Sequence, residues 1–142
     1  MGQFEIELPL PPQGLSPNSR VHWAQKAQWV RQYKEECGWT LVALKSSNAM
    51  APLPVPPPVK ATVTFTFSTD RRRDLDNWMA MLKPLWDAMV ETGWLVDDSA
   101  DKLRFGEPEM KLRGARPAGV RVRLEWDEAL AALNTASRRR RV

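Results

Sequence analysis

Thr69-Asp70-Arg71-Arg72-Arg73-Asp74-Leu75-Asp76-Asn77, an apolar-periodic run through Glu91, and Gly93-Trp94-Leu95-Val96-Asp97-Asp98 form the segment that organises this chain. Just before it, Val59, Ala61, Val63, Phe65 and Phe67 alternate with Lys60, Thr62, Thr64 and Thr66, the period-two pattern of a strand. Inside it, Leu75, Trp78, Met79, Leu82, Leu85, Trp86 and Met89 recur at three- and four-residue steps. That spacing predicts a helix from about Leu75 to Glu91, ending near Gly93. Pro84 offers no N–H to the carbonyl of Ala80, so a kink or local break is expected within the helix. Carboxylates thus stand at both ends of one amphipathic segment, with arginines alongside.

Crowded acids repel one another unless a cation lies between them, and hard oxygen donors select a hard ion such as Mg²⁺. Asp74 and Asp76 are two positions apart, on one side of an extended strand end but roughly 200° apart on a helix. They converge only if Asp74 is extended or capping while Asp76 begins the helix. Capping alone accounts for one aspartate, at about 1 kcal/mol. It does not account for the second aspartate together with Asp97 and Asp98. Lys83 lies two turns after Asp76, within about 20° of the same face and about 10 Å along a continuous helix. There it would reach a phosphate near Asp76, or would simply be solvated. Asn77 would hold an aspartate or water in place, or only belong to the first turn.

Working outward, Phe4, Ile6, Leu8 and Leu10 alternate with polar residues, giving a first strand to about Leu8 that Pro9, Pro11 and Pro12 end. A long helix is predicted from about His22 to Leu44, with Trp23, Ala27, Val30, Cys37, Leu41 and Leu44 on its apolar face. Residues 51–58, Ala-Pro-Leu-Pro-Val-Pro-Pro-Pro, read as a stiff polyproline-like spacer, or as a ligand for a proline-recognising module. Leu103 to Leu112 and Val120 to Trp126 read as a hairpin across a Gly114 to Gly119 turn, with Pro108 making the first strand an edge or bulged one. Helical character continues from Asp127 to about Ala136, before the terminal Arg138-Arg139-Arg140-Arg141.

The chain has 142 residues, one domain's worth, and a formal charge of +4. A basic excess favours an anionic partner, but 17 acidic residues make local placement the stronger guide. The lone cysteine, Cys37, forms no internal disulfide, and no signal segment or membrane-length apolar run is present. A reducing cytoplasmic location without membrane contact is therefore expected. A single histidine, His22, excludes a His-rich metal centre within one chain, leaving carboxylates, lysines and hydroxyls for chemistry.

Asp70-Arg71-Arg72-Arg73-Asp74-Leu75-Asp76-Asn77, Lys83-Pro84-Leu85-Trp86-Asp87-Ala88-Met89 and Gly93-Trp94-Leu95-Val96-Asp97-Asp98 together resemble the RusA family of Holliday junction resolvases. Ile6-Glu7-Leu8-Pro9-Leu10-Pro11-Pro12 is similar to that family's first strand and Pro-Pro loop, and the element order agrees from Phe4 to about Trp126. The resemblance implies an α/β (α+β) fold, one mixed sheet of about four strands with two main helices packed on it, forming a homodimer. It implies a nuclease domain over residues 1–127 containing the 51–58 connector, followed by a basic tail over 128–142. It implies that Asp74, Asp76 and Asp98 ligate Mg²⁺, or Mn²⁺ in its place, that Lys83 assists catalysis, and that Asp97 supports its neighbour. The best-known members carry this lysine one turn closer to the aspartate pair.

Arg71, Arg72 and Arg73 would grip backbone phosphates, with Arg20 and more weakly His22 adding contacts, or the arginines would only neutralise nearby acids. Trp23 and Trp94 read as core rather than base-stacking residues. The expected activity is Mg²⁺-dependent endonucleolytic cleavage of four-way or branched DNA in recombination and repair, in a bacterial or phage-encoded protein. A junction-binding accessory protein without cutting, and a broader flap or fork nuclease, are the alternatives.

Overall fold

The computed structural model of the chain describes residues 2–47, 52–112 and 117–129. The strands are β1 (Gly2–Leu8), β2 (Val59–Phe67), β3 (Leu103–Phe105), β4 (Glu109–Leu112) and β5 (Gly119–Trp126); the helices are α1 (Trp23–Ser47), α2 (Leu75–Ala80) and α3 (Lys83–Glu91). A single 3₁₀ turn, Gln13–Leu15, follows β1. The fold is mixed α+β, with one five-stranded sheet in which β5 lies between β1 and β2, and β3 and β4 line the other edge of β2. β5 runs antiparallel to both neighbours, whereas β3 and β4 run parallel to β2.

Alternation assigns the two faces. Val63 and Ile6 both pair with Val122, and Phe65 and Leu8 both pair with Val120, so one face is continuously apolar and buried. The opposite face carries Glu5 opposite Arg123 and Glu7 opposite Arg121; Arg121 Nη2 meets Glu7 Oε1 at 2.7 Å. Cross-strand pairs of opposite charge support this register with modest energy.

α1 buries only Tyr33, Cys37 and Leu41, a stripe at four-residue steps, and packs on α3. Burial pushes the Cys37 thiol up to about 12, which leaves it an inert core group. Trp94 is fully buried; its Nε1 donates to the Leu41 carbonyl at 3.0 Å and its ring lies 5.3 Å from that of Phe4. α3 ends in a Schellman turn: Gly93 at φ 84° donates to Val90 at 3.2 Å and Trp94 to Met89 at 2.9 Å.

Several sequence expectations need correction. The sheet has five strands where about four were expected, because Pro108 falls in a gap between β3 and β4; both lie at the edge of the sheet, the edge alternative expected from this proline. These strands do not form a hairpin with β5; both pair with β2, and β5, whose alternating apolar face is buried, takes the interior position. The local break expected in the Leu75 to Glu91 helix is present, at Met81-Leu82, and α3 starts afresh with Pro84 in its first turn, where its missing N–H costs nothing.

Trp23 is 76% exposed at the start of α1 and belongs to no core, whereas Tyr33 fills the stripe instead. The proline-rich connector is docked and not a free spacer: Val55, fully buried, donates its N–H to Trp94 at 2.9 Å. Prolines have no N–H, so a non-proline residue, here Val55, must make such a bond. The Gly114 to Gly119 turn falls partly, and the tail beyond Ala129 wholly, outside the described residues.

Replacing Trp94 with alanine should lower stability by about 3–5 kcal/mol, and Gly93→Ala by about 1 kcal/mol, both read from urea unfolding midpoints. Equal effects from the two would contradict Trp94 as the anchor of this corner.

Candidate active site

α2 begins as the aspartate spacing required. Asp74 is extended, at φ −95° and ψ 107°, and its Oδ1 accepts from the N–H of Asp76 at 3.0 Å and of Asn77 at 3.4 Å. Asp76 lies in the first helical turn and is exposed. Its helix face continues through Met79 and Ala80, three and four residues on. Those two residues line a cavity of about 470 Å³ with Lys83, Trp86, Asp98 and Phe105. Trp86 and Phe105 make the aromatic wall, with ring centroids 5.1 Å apart.

Lys83 reaches this cavity by a route the spacing did not foresee. Because the helix breaks before it, the face arithmetic from Asp76 does not apply, and Lys83 stands in the first turn of α3. A cation is unfavourable at that positive end of the helix dipole. Two carboxylates offset the cost: Nζ lies 2.5 Å from Asp98 Oδ2 and 3.1 Å from Asp87 Oδ1. Asp87 was not singled out from sequence, although its position four residues after Lys83 was the available signal.

Asp98 arrives from the other side, carried by the Trp94 anchor. Its N–H donates to Asp97 Oδ1 at 2.9 Å, and Asp97 Oδ2 faces Lys102 at 3.9 Å, so Asp97 braces its neighbour. The hydrogen bond from Lys83 holds the Asp98 carboxyl below the ordinary carboxylate range, partial burial opposing it. The Lys83 ammonium is shifted up by Asp98 first and Asp87 second. For Asp98 the pairing contributes stability above the unfolded carboxylate value of about 4 and loses it as pH falls through the lowered folded value. For Lys83 the contribution is complete below the unfolded lysine value and disappears as pH rises through the raised one.

The arginines divide by role. Arg73 donates to the Thr69 carbonyl at 2.9 Å, the Arg71 carbonyl at 3.2 Å and Thr69 Oγ1 at 3.0 Å, with its guanidinium 3.9 Å above the Phe67 ring. It clamps its own loop. Arg71, Arg72 and Arg20 are exposed, without side-chain partners among the described residues. His22 accepts the Ala24 N–H on Nδ1 at 3.2 Å, a local contact at the start of α1.

Asp74, Asp76 and Asp98 have the donor chemistry of a Mg²⁺ site. As placed, no group of three or more Asp, Glu, His or Cys side chains among the described residues is close enough to hold an ion. Asp74 is engaged in capping, and Asp98 already has a cation beside it, the Lys83 ammonium. No protein-family model and no curated protein matches this chain.

In Lys83→Met the Asp98 carboxyl should titrate back in the ordinary carboxylate range, followed by carboxyl carbon NMR. An unchanged low midpoint would transfer its stabilisation from Lys83 to other groups.

Proposed function

We propose that this chain is a metal-dependent, structure-selective endodeoxyribonuclease that resolves four-way DNA junctions, as the RusA family it resembles does. The observation that carries the reading is the meeting of Lys83 with Asp98, from segments on either side of Trp94, at a cavity bordered by the helix face of Asp76. A lysine at the unfavourable end of a helix has a structural cost. That cost is understandable where a phosphate must be received.

Exposed Arg71 and Arg72 meet backbone phosphates and position DNA without reading its sequence. Lys83 then offers its ammonium to the negative charge developing on the phosphate, within a cavity partly walled from water by Trp86 and Phe105. Asp74, Asp76 and Asp98, too far apart as placed, would have to draw together to hold Mg²⁺, or Mn²⁺, which when bound supplies a water of lowered pKa and neutralises charge. Asp97 and Asn77 steady the acidic groups. A homodimer would bring two identical sites to the two strands that a junction requires to be cut. Branched DNA is a nucleoid substrate, so a cytoplasmic place of action accompanies this reading; among the described residues no helix is long and apolar enough to cross a membrane.

One observation favours a second reading, a junction-binding accessory protein that does not cut: Asp98 is already paired with Lys83 at 2.5 Å. Cleavage assays on synthetic four-way, flap and linear duplexes, with Mg²⁺ and with chelator, separate the two. Paired nicks confined to the four-way junction and abolished by chelator support the resolvase; tight binding with no cutting in Mg²⁺ or Mn²⁺ supports the accessory protein.

Asp76→Asn should bind the junction with wild-type affinity and cut at least a hundredfold more slowly, about 3 kcal/mol of lost transition-state stabilisation. Wild-type cutting by this variant would remove Asp76 from the site. Arg71→Ala with Arg72→Ala should reduce the slope of log affinity against log salt by about two, without changing sequence preference. An unchanged slope would confine both arginines to the protein's own surface.

A further inference from the structure

A second cavity, of about 510 Å³, lies between the Gln13–Leu15 turn, the loop from Ser16 to Val21, α1 and α2. It adjoins the candidate active site through the chain itself, because Asn77 and Trp78, the residues next after Asp76, line it. Two indoles contribute to its walls. Trp29 is partly buried and lies against the backbone of Gly14, so closely that a Cβ there would stand 1.8 Å from the ring. Trp78 is fixed from behind by Phe67, edge-on at 4.8 Å, and by Phe65 at 5.9 Å. Both rings are braced by packing, so neither is free to swing in and fill the space.

The rim has the complementary chemistry. Gln13, Asn18 and Asn77 line the cavity, and none of their carboxamides has a hydrogen-bond partner among the described residues. A carboxamide carries a donor pair and an acceptor side by side, the set that reads the edge of a nucleobase. Indole rings supply the stacking partner that any base accepts. Arg20, exposed and next in sequence to the lining residues Ser19 and Val21, is a cation available to the accompanying phosphate.

We propose that this cavity receives one unstacked nucleobase of the DNA bound at the neighbouring site, stacked on an indole of its wall and read by the carboxamides of its rim. The inference rests on the DNA-directed reading above and adds to it a base-contacting subsite. A volume of about 510 Å³ accommodates a single nucleotide and excludes a duplex.

The test uses the full chain and four-way junctions carrying 5-iododeoxyuridine at successive positions around the branch point. Irradiation should cross-link one position to a peptide containing Trp29 or Trp78. Gln13→Ala with Asn18→Ala, both exposed and thus removable without loss of fold, should weaken binding about fivefold. The same variant should lose nothing further on a junction made abasic at the cross-linking position.

Wild-type junction binding with cross-links only to other peptides overturns the subsite and leaves the nuclease reading standing, as does an equal loss on intact and abasic junctions. Cross-linking of free 5-iododeoxyuridine monophosphate at these peptides, with none from the junction, overturns the assignment to DNA in favour of a mononucleotide. Failure to bind any branched DNA overturns both readings together.

Discussion

The burial of Trp94 is the constraint from which the candidate site follows. Its indole can enter the core only if the chain reverses sharply after α3, and Gly93, at φ 84°, makes that reversal without a Cβ penalty. Once inside, the residue is held at three points, its ring by the Leu41 carbonyl and Phe4 and its main-chain carbonyl by the N–H of Val55. α1, β1 and the proline-rich connector are therefore tied to one residue. Only a few residues beyond it, Asp98 has little freedom left and is delivered onto Lys83.

Electrostatics then completes what packing began. Lys83 at the start of α3 and Asp98 at the end of the turn are each unfavourable in isolation, one against the helix dipole and the other drawn partly out of water. Each relieves the other. Other charges are paired on the polar face of the sheet, as Arg121 is with Glu7, or exposed, as Arg71 and Arg72 are just before Asp74.

Much of this was legible in the residues. The alternation of Val59 to Phe67 and of Val120 to Trp126 gave both interior strands, because a half-buried strand writes its two faces into every second residue. The two-residue spacing of Asp74 and Asp76 stated the condition of an extended cap before a helix, and Asp74 meets it. Less was legible where a partner distant in sequence decides the outcome. Leu103 to Leu112 and Val120 to Trp126 look like hairpin partners because they are neighbours in the chain; in the fold both flank β2, where each finds a longer apolar strand. Trp23 follows the helical spacing of its helix, yet the stripe that meets the core runs through Tyr33, Cys37 and Leu41, because α3 packs there. Asp87 went unremarked because its importance depends on where the Lys83 ammonium points.

By itself, the sequence determined the elements that carry their instructions locally: period-two strands, the aspartate cap, the glycine that ends α3 and the proline that restarts it. Each depends on backbone geometry within a few residues, which is why it can be read without a fold. The tertiary structure alone decided which strand lies beside which, which face of α1 is buried, and that Lys83 pairs with Asp98, fifteen positions along the chain. Those outcomes arise from competition among distant surfaces for burial and among charges for partners, and no local pattern records the winner.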